Sequence, residues 1–342
     1  MSRLETATQP VSSHTVLAPA RAVSFAKLIV SGEHAVVHGC PALVASLPFE
    51  TRAELTPLPH TTDIHLVLPD LDTELRLSWS EALGRVQAAR DRHRLFASGM
   101  LPVTSVLSEP AELALAAAVS LAPRGGWSLH LTSTVPVRAG LGSSAATIVA
   151  ALKAIDSAFR LDTPKSDLWQ QGRTIEALQH GRSSGTDIAA ALYGGLQRFQ
   201  AGHVTVLDSL ALPEGWQLWY SGKSVTSTGE AVSSVAARFP SGHALWASFT
   251  QTEQQVEQAL ERKDWPALVA AVRENHRMLC AIGVVPDAVA RIIALIEQAG
   301  GAAKICGAGA VRGDGAGAVF VLPAHPGADL PEVVRKAWMR MI

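Results

Sequence analysis

The sequence predicts a two-domain α+β protein, and three features support this prediction. The chain has 342 residues, which is more than one hydrophobic core usually serves. Its first part alternates strand-like and helix-like segments, whereas the part after Pro213 begins with one strand and continues as a run of helices. Each part also contains one glycine-rich segment that follows a predicted strand. We therefore expect an N-terminal domain over residues 1–212, with residues 1–15 as a polar flexible tail, and a C-terminal domain over residues 213–342.

Composition excludes several classes of protein. The formal net charge is −1, so no basic field indicates a nucleic-acid partner. Cys40, Cys280 and Cys306 lie far apart without zinc-ligand spacing, which argues against a disulfide framework and suits a reducing cytosol. The longest apolar run, residues 113–122, is too short to cross a bilayer, and the N-terminal segment lacks the apolar run of a signal peptide. We expect a cytoplasmic globular protein that binds neither nucleic acid nor membranes.

Hydrophobic periodicity predicts the elements of the first domain in order. Segments that are apolar, or that alternate apolar and polar residues, are typical of strands, and they lie at 22–30, 42–47, 51–55, 64–68, 75–79, 127–135 and 196–199. Helices are predicted at 80–97, 111–121, 165–180 and 188–192 and in a segment that begins near Ser143. The apolar face of that last helix is interpreted as core.

The second domain has a simpler pattern. One strand is predicted at 216–220, and four helices follow at 229–239, 243–262, 266–282 and 286–299. Two further strands, 302–306 and 318–322, flank the second glycine-rich segment, and a last helix is predicted at 330–341. A strand, a glycine-rich loop and a strand can form a tight hairpin, or can bring backbone N–H groups close to an anion.

The most informative stretch is Pro136–Ala146, between a predicted strand and a predicted helix. Gly140 and Gly142 permit backbone angles that other residues avoid. Ser143 and Ser144 could cap the helix or offer hydroxyls to a ligand or metal ion. A helix N-terminus with free N–H groups is a ready site for phosphate. The stretch therefore predicts either a phosphate site or a capped turn without a ligand.

Known nucleotide-binding motifs limit the alternatives. The chain contains no GxxxxGK[ST] segment and no HRD or DFG set, so it is neither a P-loop enzyme nor a protein kinase. Residues 140–145 do match G-x-G-x-x-A, and Asp162 follows at about the distance expected of a ribose ligand. A dinucleotide-binding oxidoreductase therefore stays open as an alternative.

Three further segments, taken together with Pro136–Ala146, resemble the GHMP kinase family. The segment Lys27–Gly39 is similar to the family's first motif, and Pro136–Ala146 is similar to its second motif, PxGAGLGSSAA. Gly307–Gly309 is similar to the start of the third motif. Residues 184–195 resemble the PSGxDN…YGG segment that carries the catalytic aspartate of the family.

This resemblance implies a fold and an activity. The fold would be a two-domain GHMP kinase fold, with an N-terminal ribosomal-protein-S5-like α/β domain and a C-terminal ferredoxin-like α+β domain. The first motif, Gly32-Glu-His-Ala-Val-Val-His-Gly39, is most similar to family members that phosphorylate the 5-hydroxyl of mevalonate. The resemblance thus implies ATP and Mg²⁺ as cofactors and mevalonate as substrate. Another small hydroxylated metabolite, such as phosphomevalonate or a sugar, remains an alternative substrate, and a homodimer remains open.

The resemblance also implies a role for individual residues. Asp187 would accept the proton of the substrate hydroxyl, Lys27 would stabilise the developing charge, and Ser144 and Glu176 would hold Mg²⁺. The residues expected to contact the ATP phosphates are Pro136, Ala139, Gly140, Leu141, Gly142, Ser143, Ser144 and Ala145. The residues expected to contact the substrate are Glu33, His34, Thr228, Gly307 and Gly309.

Each assignment has a structural alternative. Lys27 could point into solvent from an edge strand, and Asp187 could cap the following helix. Glu176 could be a solvated residue in the middle of a helix, because buried glutamates are rare. His34 could be a structural histidine, and Thr226 could replace Thr228 in substrate binding.

Overall fold

The computed structural model describes residues 17–137 and 139–342. Within these residues the first part of the chain forms a seven-stranded sheet of β1 (Ala20–Ser31), β2 (Ala42–Pro57), β3 (Ile64–Leu68), β4 (Thr73–Leu77), β5 (Trp127–Ser133), β6 (Leu196–Gln200) and β7 (His203–Val206). It also contains the helices α1 (Trp79–Ala97), α2 (Ala111–Leu121), α3 (Ser143–Phe159), α4 (Lys165–His180) and α5 (Thr186–Tyr193).

The long strand β2 organises this sheet. Its strand order is β4-β3-β5-β2-β6-β7, and β1 pairs with β2 along the opposite edge. The two halves of β2 pair with different neighbours, Thr51–Pro57 with β5 and Ala42–Ala45 with β6. Of the pairings, only β3 with β5 is parallel within the described residues. The middle of β2 is therefore the point at which β5 ends and β6 begins, and the loops at these strand ends lie close together.

The sequence prediction divided β2 into two strands, which is wrong. The strand continues through Pro48, and the pairing register with β1 shifts between Phe25 and Ala26 at the same level. A bulge tolerates proline because the missing N–H is not needed in the ladder there. The prediction also missed β7, a four-residue strand that forms a hairpin with β6.

The second part of the chain forms a four-stranded antiparallel sheet, counted over the described residues, with the order β11-β8-β10-β9. Its strands are β8 (Gln217–Tyr220), β9 (Ala302–Ile305), β10 (Ala318–Leu322) and β11 (Met339–Arg340). Its helices are α6 (Thr228–Arg238), α7 (Leu245–Glu261), α8 (Trp265–Ala281), α9 (Asp287–Gln298) and α10 (Glu332–Ala337). The predicted last helix is shorter than expected, since Met339 and Arg340 pair with β8 as a strand instead.

One apolar cluster joins the two parts of the chain. It contains Leu28 and Leu43 from the first sheet together with Val256 and Val272 from α7 and α8, and Phe320 from β10. The four-stranded sheet with its helices thus packs directly against β1 and β2. The domain boundary at residue 213 stays a prediction, although the strands of the two sheets come from residues 20–206 and 217–340.

No helix in the part of the chain that the structure describes is both long and apolar enough to cross a membrane.

Candidate active site

The loop between β5 and α3 is held in place by both sheets. The backbone N–H of Lys27 in β1 donates to the Leu141 carbonyl at 2.9 Å, and the N–H of Ala318 in β10 donates to the Ala139 carbonyl at 2.9 Å. Gly140 and Gly142 both have positive φ, 80° and 73°. The sequence suggested that a serine caps α3, but the structure places Gly142 at the N-cap, where no side chain can accept from the helix. The first N–H groups of α3 therefore remain available for an anion.

Lys27 and Asp187 form an ion pair beside this helix terminus. The Lys27 Nζ lies 3.2 Å from Asp187 Oδ1, and the lysine side chain is only 5% exposed, against 32% for the aspartate. Asp187 lies in the first turn of α5, after Gly185, whose φ is 85°. Lys27 therefore does not point into solvent as an edge residue would, and Asp187 presents its carboxylate next to an ammonium. A partly buried pair of this kind places a base and a positive charge at one point.

Gly142 makes this arrangement possible. A Cβ at this position would lie 2.8 Å from Lys27 Cγ and 3.6 Å from Asp187 Oδ2. The helix terminus and the ion pair thus approach each other more closely than any other residue type would permit. An anion bound at the first turn of α3 would lie next to the Lys27–Asp187 pair.

Glu176 is a buried member of the same site. It lies in the middle of α4, and its Oε2 accepts a hydrogen bond from the Ser183 hydroxyl. Burial, and then the negative charge of Asp187 nearby, raise the pKa of Glu176 to about 8. The alternative of a solvated glutamate is therefore wrong. A carboxyl group with such a pKa is largely protonated at neutral pH and becomes charged when a cation binds beside it.

Ser144 faces α4 at the position of His180. The Ser144 Oγ lies 3.5 Å from His180 Nε2, and His180 follows Glu176 by one helical turn on the same face of α4. Burial lowers the pKa of His180. His180 had no role in the sequence analysis, because its distance to Ser144 depends on how α3 packs against α4.

His34 is held by the second glycine-rich segment. Its Nε2 lies 3.0 Å from the carbonyl of Ala308, which can only accept, so Nε2 carries the proton. The side chain is buried, and this burial lowers the pKa of His34 to about 4. Its Nδ1 is then a hydrogen-bond acceptor, and it has no partner among the described residues. The residue adopts φ 54°, which is uncommon for a non-glycine residue.

Glu33 does not reach the surface of the site, contrary to the expectation that it contacts substrate. Its carboxylate pairs with Lys304 of β9, and both side chains are 0% exposed. Sequence reasoning missed Lys304. The available signal was a lysine within the apolar strand Ala302–Ile305, where a charge needs a partner.

The remaining predicted substrate residues lie on the C-terminal side. A Cβ on Gly307 would lie 3.9 Å from Lys27 Nζ, so this glycine borders the ion pair. Gly309 instead packs against the Val284 carbonyl, where a Cβ would overlap that oxygen.

The hydroxyls of Thr226 and Thr228 differ in their surroundings. The Thr226 hydroxyl is used inside the protein, as the acceptor for the Val311 N–H at 3.2 Å. Thr228 is exposed at the start of α6, and a Cβ on the next residue, Gly229, would lie 3.9 Å from the His180 carbonyl.

A helix N-terminus open to an anion, a lysine–aspartate pair and a buried carboxyl group are groups of the kind that phosphoryl transfer uses. The sheet is mainly antiparallel, so the alternative of a dinucleotide-binding oxidoreductase with a parallel sheet is wrong. The family description "GHMP kinases N terminal domain" matches residues 107–195, and "GHMP kinases C terminal" matches residues 256–335.

Relatives with known names and solved structures support the same family. A mevalonate kinase of Pyrococcus abyssi is 30% identical over 310 residues, which cover 87% of this chain and 86% of the relative. The crystal structure of a mevalonate kinase from Methanococcus jannaschii has a TM-score of 0.73 at 20% identity and covers 97% of this chain and 98% of that one. A galactokinase of Lactococcus lactis, complexed with galactose, has a TM-score of 0.68 at 14% identity and covers 94% and 89%. The chain belongs to the GHMP kinase family and is an ATP-dependent kinase with the two-domain fold of that family.

We predict that Gly142→Ala lowers kcat/KM for the phosphoryl acceptor by about 100-fold or more, because the new methyl group displaces Lys27 from Asp187. The positive φ adds a backbone cost of about 1 kcal/mol to folding. Gly327→Ala is the matched control, since Gly327 has φ 83° with open space around a Cβ. Steady-state kinetics and urea unfolding of both variants measure the two effects. Equal activity of the two variants would contradict the close approach at Gly142.

The raised pKa of Glu176 predicts a pH-dependent stability. Between the ordinary pKa of 4.5 and about 8 the folded protein keeps a proton that the unfolded chain releases, so the free energy of unfolding falls as pH rises through this window. In Glu176→Gln this loss disappears. The stability difference between variant and parent should grow with pH, by about 1.4 kcal/mol per unit at most.

Urea unfolding at pH values from below the window to above it, without nucleotide or Mg²⁺, measures this difference. Glu261→Gln, on the exposed end of α7, is the control and should follow the parent at every pH. Parallel stability curves for the parent and Glu176→Gln would show that Glu176 ionises normally.

Proposed function

We propose that this kinase transfers the γ-phosphoryl group of ATP to the 5-hydroxyl of mevalonate. The observation that carries the proposal is the Lys27–Asp187 pair at the open N-terminus of α3, which combines a base with an anion site. The substrate assignment is supported by relatives named mevalonate kinase that are 30% and 22% identical, and by the first motif, Gly32–Gly39. The solved structures support only the fold, because a galactokinase resembles the chain nearly as well.

The phosphates of ATP would occupy the loop before α3. The N–H groups in the first turn of the helix point towards this position, and the positive end of the helix dipole favours negative charge there. Gly140 is exposed, and its Cβ position would come within 3.0 Å of the Cys306 carbonyl, so the loop and the second glycine-rich segment face each other. The other proposed contacts to ATP are Pro136, Ala139, Leu141, Gly142, Ser143, Ser144 and Ala145.

The residues around Ser144 fit a Mg²⁺ ion that is shared with these phosphates. Glu176 and the Ser144 hydroxyl offer hard oxygen ligands, and a cation would offset both causes that keep the Glu176 carboxyl protonated. Among the described residues, no group of three or more His, Cys, Asp or Glu side chains could hold a metal by itself. This donor set suits an ion carried mainly by the nucleotide and water. When bound, Mg²⁺ would neutralise negative charge on the phosphates.

Asp187 and Lys27 would carry out the transfer. Asp187 accepts the proton of the substrate hydroxyl while that oxygen forms a bond to the γ-phosphorus and the bond to the ADP oxygen breaks. The Lys27 ammonium, fixed in a buried position, stabilises the negative charge that develops on the attacking and transferring oxygens. Burial excludes competing water, so the electrostatic interaction is stronger than it would be in solvent.

The substrate would lie between Lys27, His34 and the start of α6. The Nδ1 of His34 is a buried acceptor without a partner among the described residues, and a substrate hydroxyl that reached it would satisfy it. Thr228 is exposed and can donate or accept. Gly307 borders the Lys27 ammonium, since a Cβ at this position would lie 3.9 Å from Nζ. Glu33 and Gly309 lie beneath the residues that would contact the substrate, packed against Lys304 and the Val284 carbonyl.

A substrate panel tests the proposal. The purified protein is assayed for ATP-dependent ADP release with mevalonate, phosphomevalonate, galactose and homoserine, each with and without Mg²⁺. We expect turnover with mevalonate, and phosphorylation at its 5-oxygen by ³¹P NMR. Turnover with another member of the panel and none with mevalonate would refute the substrate assignment while leaving the kinase assignment intact.

Asp187→Asn should lower kcat by about 10²- to 10⁴-fold, because the amide cannot accept the proton. ATP affinity, measured by calorimetry, should change little, since the base acts on the acceptor. Asp208→Asn, at an exposed turn, is the control with parental kinetics. A near-parental kcat in Asp187→Asn would remove Asp187 from the chemical step.

A further inference from the structure

Lys304 is a completely buried lysine whose ammonium group has three acceptors. Its Nζ donates to the carboxylate of Glu33, to the carbonyl of Ile29 at 3.1 Å and to the carbonyl of Ile305 at 3.0 Å. An ammonium group has three N–H donors, so all of them are used. The side chains of Lys304 and Glu33 have no exposed surface. The Lys304 ammonium therefore has no donor left for a substrate.

The contacts of Lys304 connect the two parts of the chain at the candidate site. Ile29 lies in β1 and Glu33 in the turn after it, whereas Lys304 lies in β9 of the second sheet. A second link between the same two segments follows a few residues further, where His34 Nε2 donates to the Ala308 carbonyl at 3.0 Å. The segments 29–34 and 304–308 are thus fixed to each other at both ends.

These links determine how His34 is presented. His34 directly follows Glu33 and adopts a positive φ of 54°, a conformation that persists only when its surroundings hold it. The Lys304–Glu33 pair fixes the backbone on one side of His34, and the Ala308 carbonyl fixes the ring and its tautomer. The Nδ1 of His34, a buried acceptor that has no partner among the described residues, therefore has a defined position, and Gly307, between Lys304 and Ala308, is held beside the Lys27 ammonium.

We propose that Lys304 is a positioning residue for the substrate: its ion pair with Glu33 holds His34 with Nδ1 directed as an acceptor for a substrate hydroxyl. This inference rests on the proposed function, in which His34 contacts the substrate. Lys304 acts through Glu33 and the turn, and it takes no part in the transfer of the phosphoryl group.

Stability provides the rival explanation, and the chemistry of buried pairs separates the two. Removing one member of a buried ion pair leaves an uncompensated charge and is strongly destabilising, whereas replacing both members by apolar side chains of similar volume is often neutral. The double variant Lys304→Met/Glu33→Leu should therefore regain the urea midpoint that Lys304→Met loses. If the pair served stability alone, activity would return together with the midpoint.

The experiment measures urea midpoints and separate KM values for mevalonate and ATP in three variants. We expect Lys304→Met to be destabilised. We expect the double variant to have a midpoint near that of the parent. Its kcat/KM for mevalonate should be at least about 30-fold below that of the parent, with KM for ATP within about threefold. Asp208→Asn, at an exposed turn far from the pair in sequence, is the control and should keep the urea midpoint and kcat/KM of the parent.

Three results would overturn the proposal. One is a double variant with parental stability and parental kcat/KM for mevalonate. Another is a double variant as unstable as Lys304→Met, since the pair would then not be exchangeable as argued. The third is an equal loss of substrate and ATP affinity in the double variant.

Failure of the proposed function has a different signature. If the parent phosphorylates another member of the panel and not mevalonate, the same variants are compared on that substrate. The positioning role then succeeds or fails by the same criteria, because the comparison is always between variant and parent. Absence of activity in the parent on every hydroxyl compound would refute both proposals.

Discussion

Two backbone hydrogen bonds hold the loop on which this site depends. One comes from Lys27 in the first sheet and the other from Ala318 in the second, and they fix the carbonyls of Leu141 and Ala139. The loop cannot adopt another path without losing a bond on one side. Because the same residue, Lys27, supplies both the N–H and the ammonium of the ion pair, the position of the anion site and the position of the charged pair are set together.

The charges of the site are balanced before any ligand binds. Lys27 and Asp187 neutralise each other at 3.2 Å, and the Glu176 carboxyl, with its pKa raised to about 8, is mostly uncharged at neutral pH. A buried site with an unpaired charge would be costly, and this arrangement avoids that cost. A cation bound beside Glu176 would favour its charged form, so binding of that cation would release a proton.

Much of the fold could be predicted from the sequence because the local signals were strong. The strand at 64–68 and the helices at 111–121 and 165–180 were predicted with the bounds that the structure has. Prediction from hydrophobic periodicity failed where contacts between residues distant in sequence determine the secondary structure. The strands predicted at 42–47 and 51–55 left a break around Pro48, but pairing with β1 carries β2 through it. The end of the chain forms β11 because β8 offers an edge.

The site shows the same division between local and distant signals. Lys27 and Asp187 could be predicted because each lies in a recognisable motif, and the structure brings them together. Lys304 and His180 could not, since their importance comes from partners 271 and 36 residues away. The expectation that Glu33 contacts the substrate failed for the same reason, because its partner Lys304 lies in the other sheet.

The apolar cluster shared by both sheets limits how this architecture can change during evolution. Leu28 and Leu43 bury their side chains in one cluster with Val256, Val272 and Phe320, so the two parts of the chain share a portion of their core. A substitution on one side of the boundary changes the volume that the other side must fill. The two parts must therefore diverge together, and exchange of one part between distant relatives would leave cavities or overlaps in the middle of the molecule.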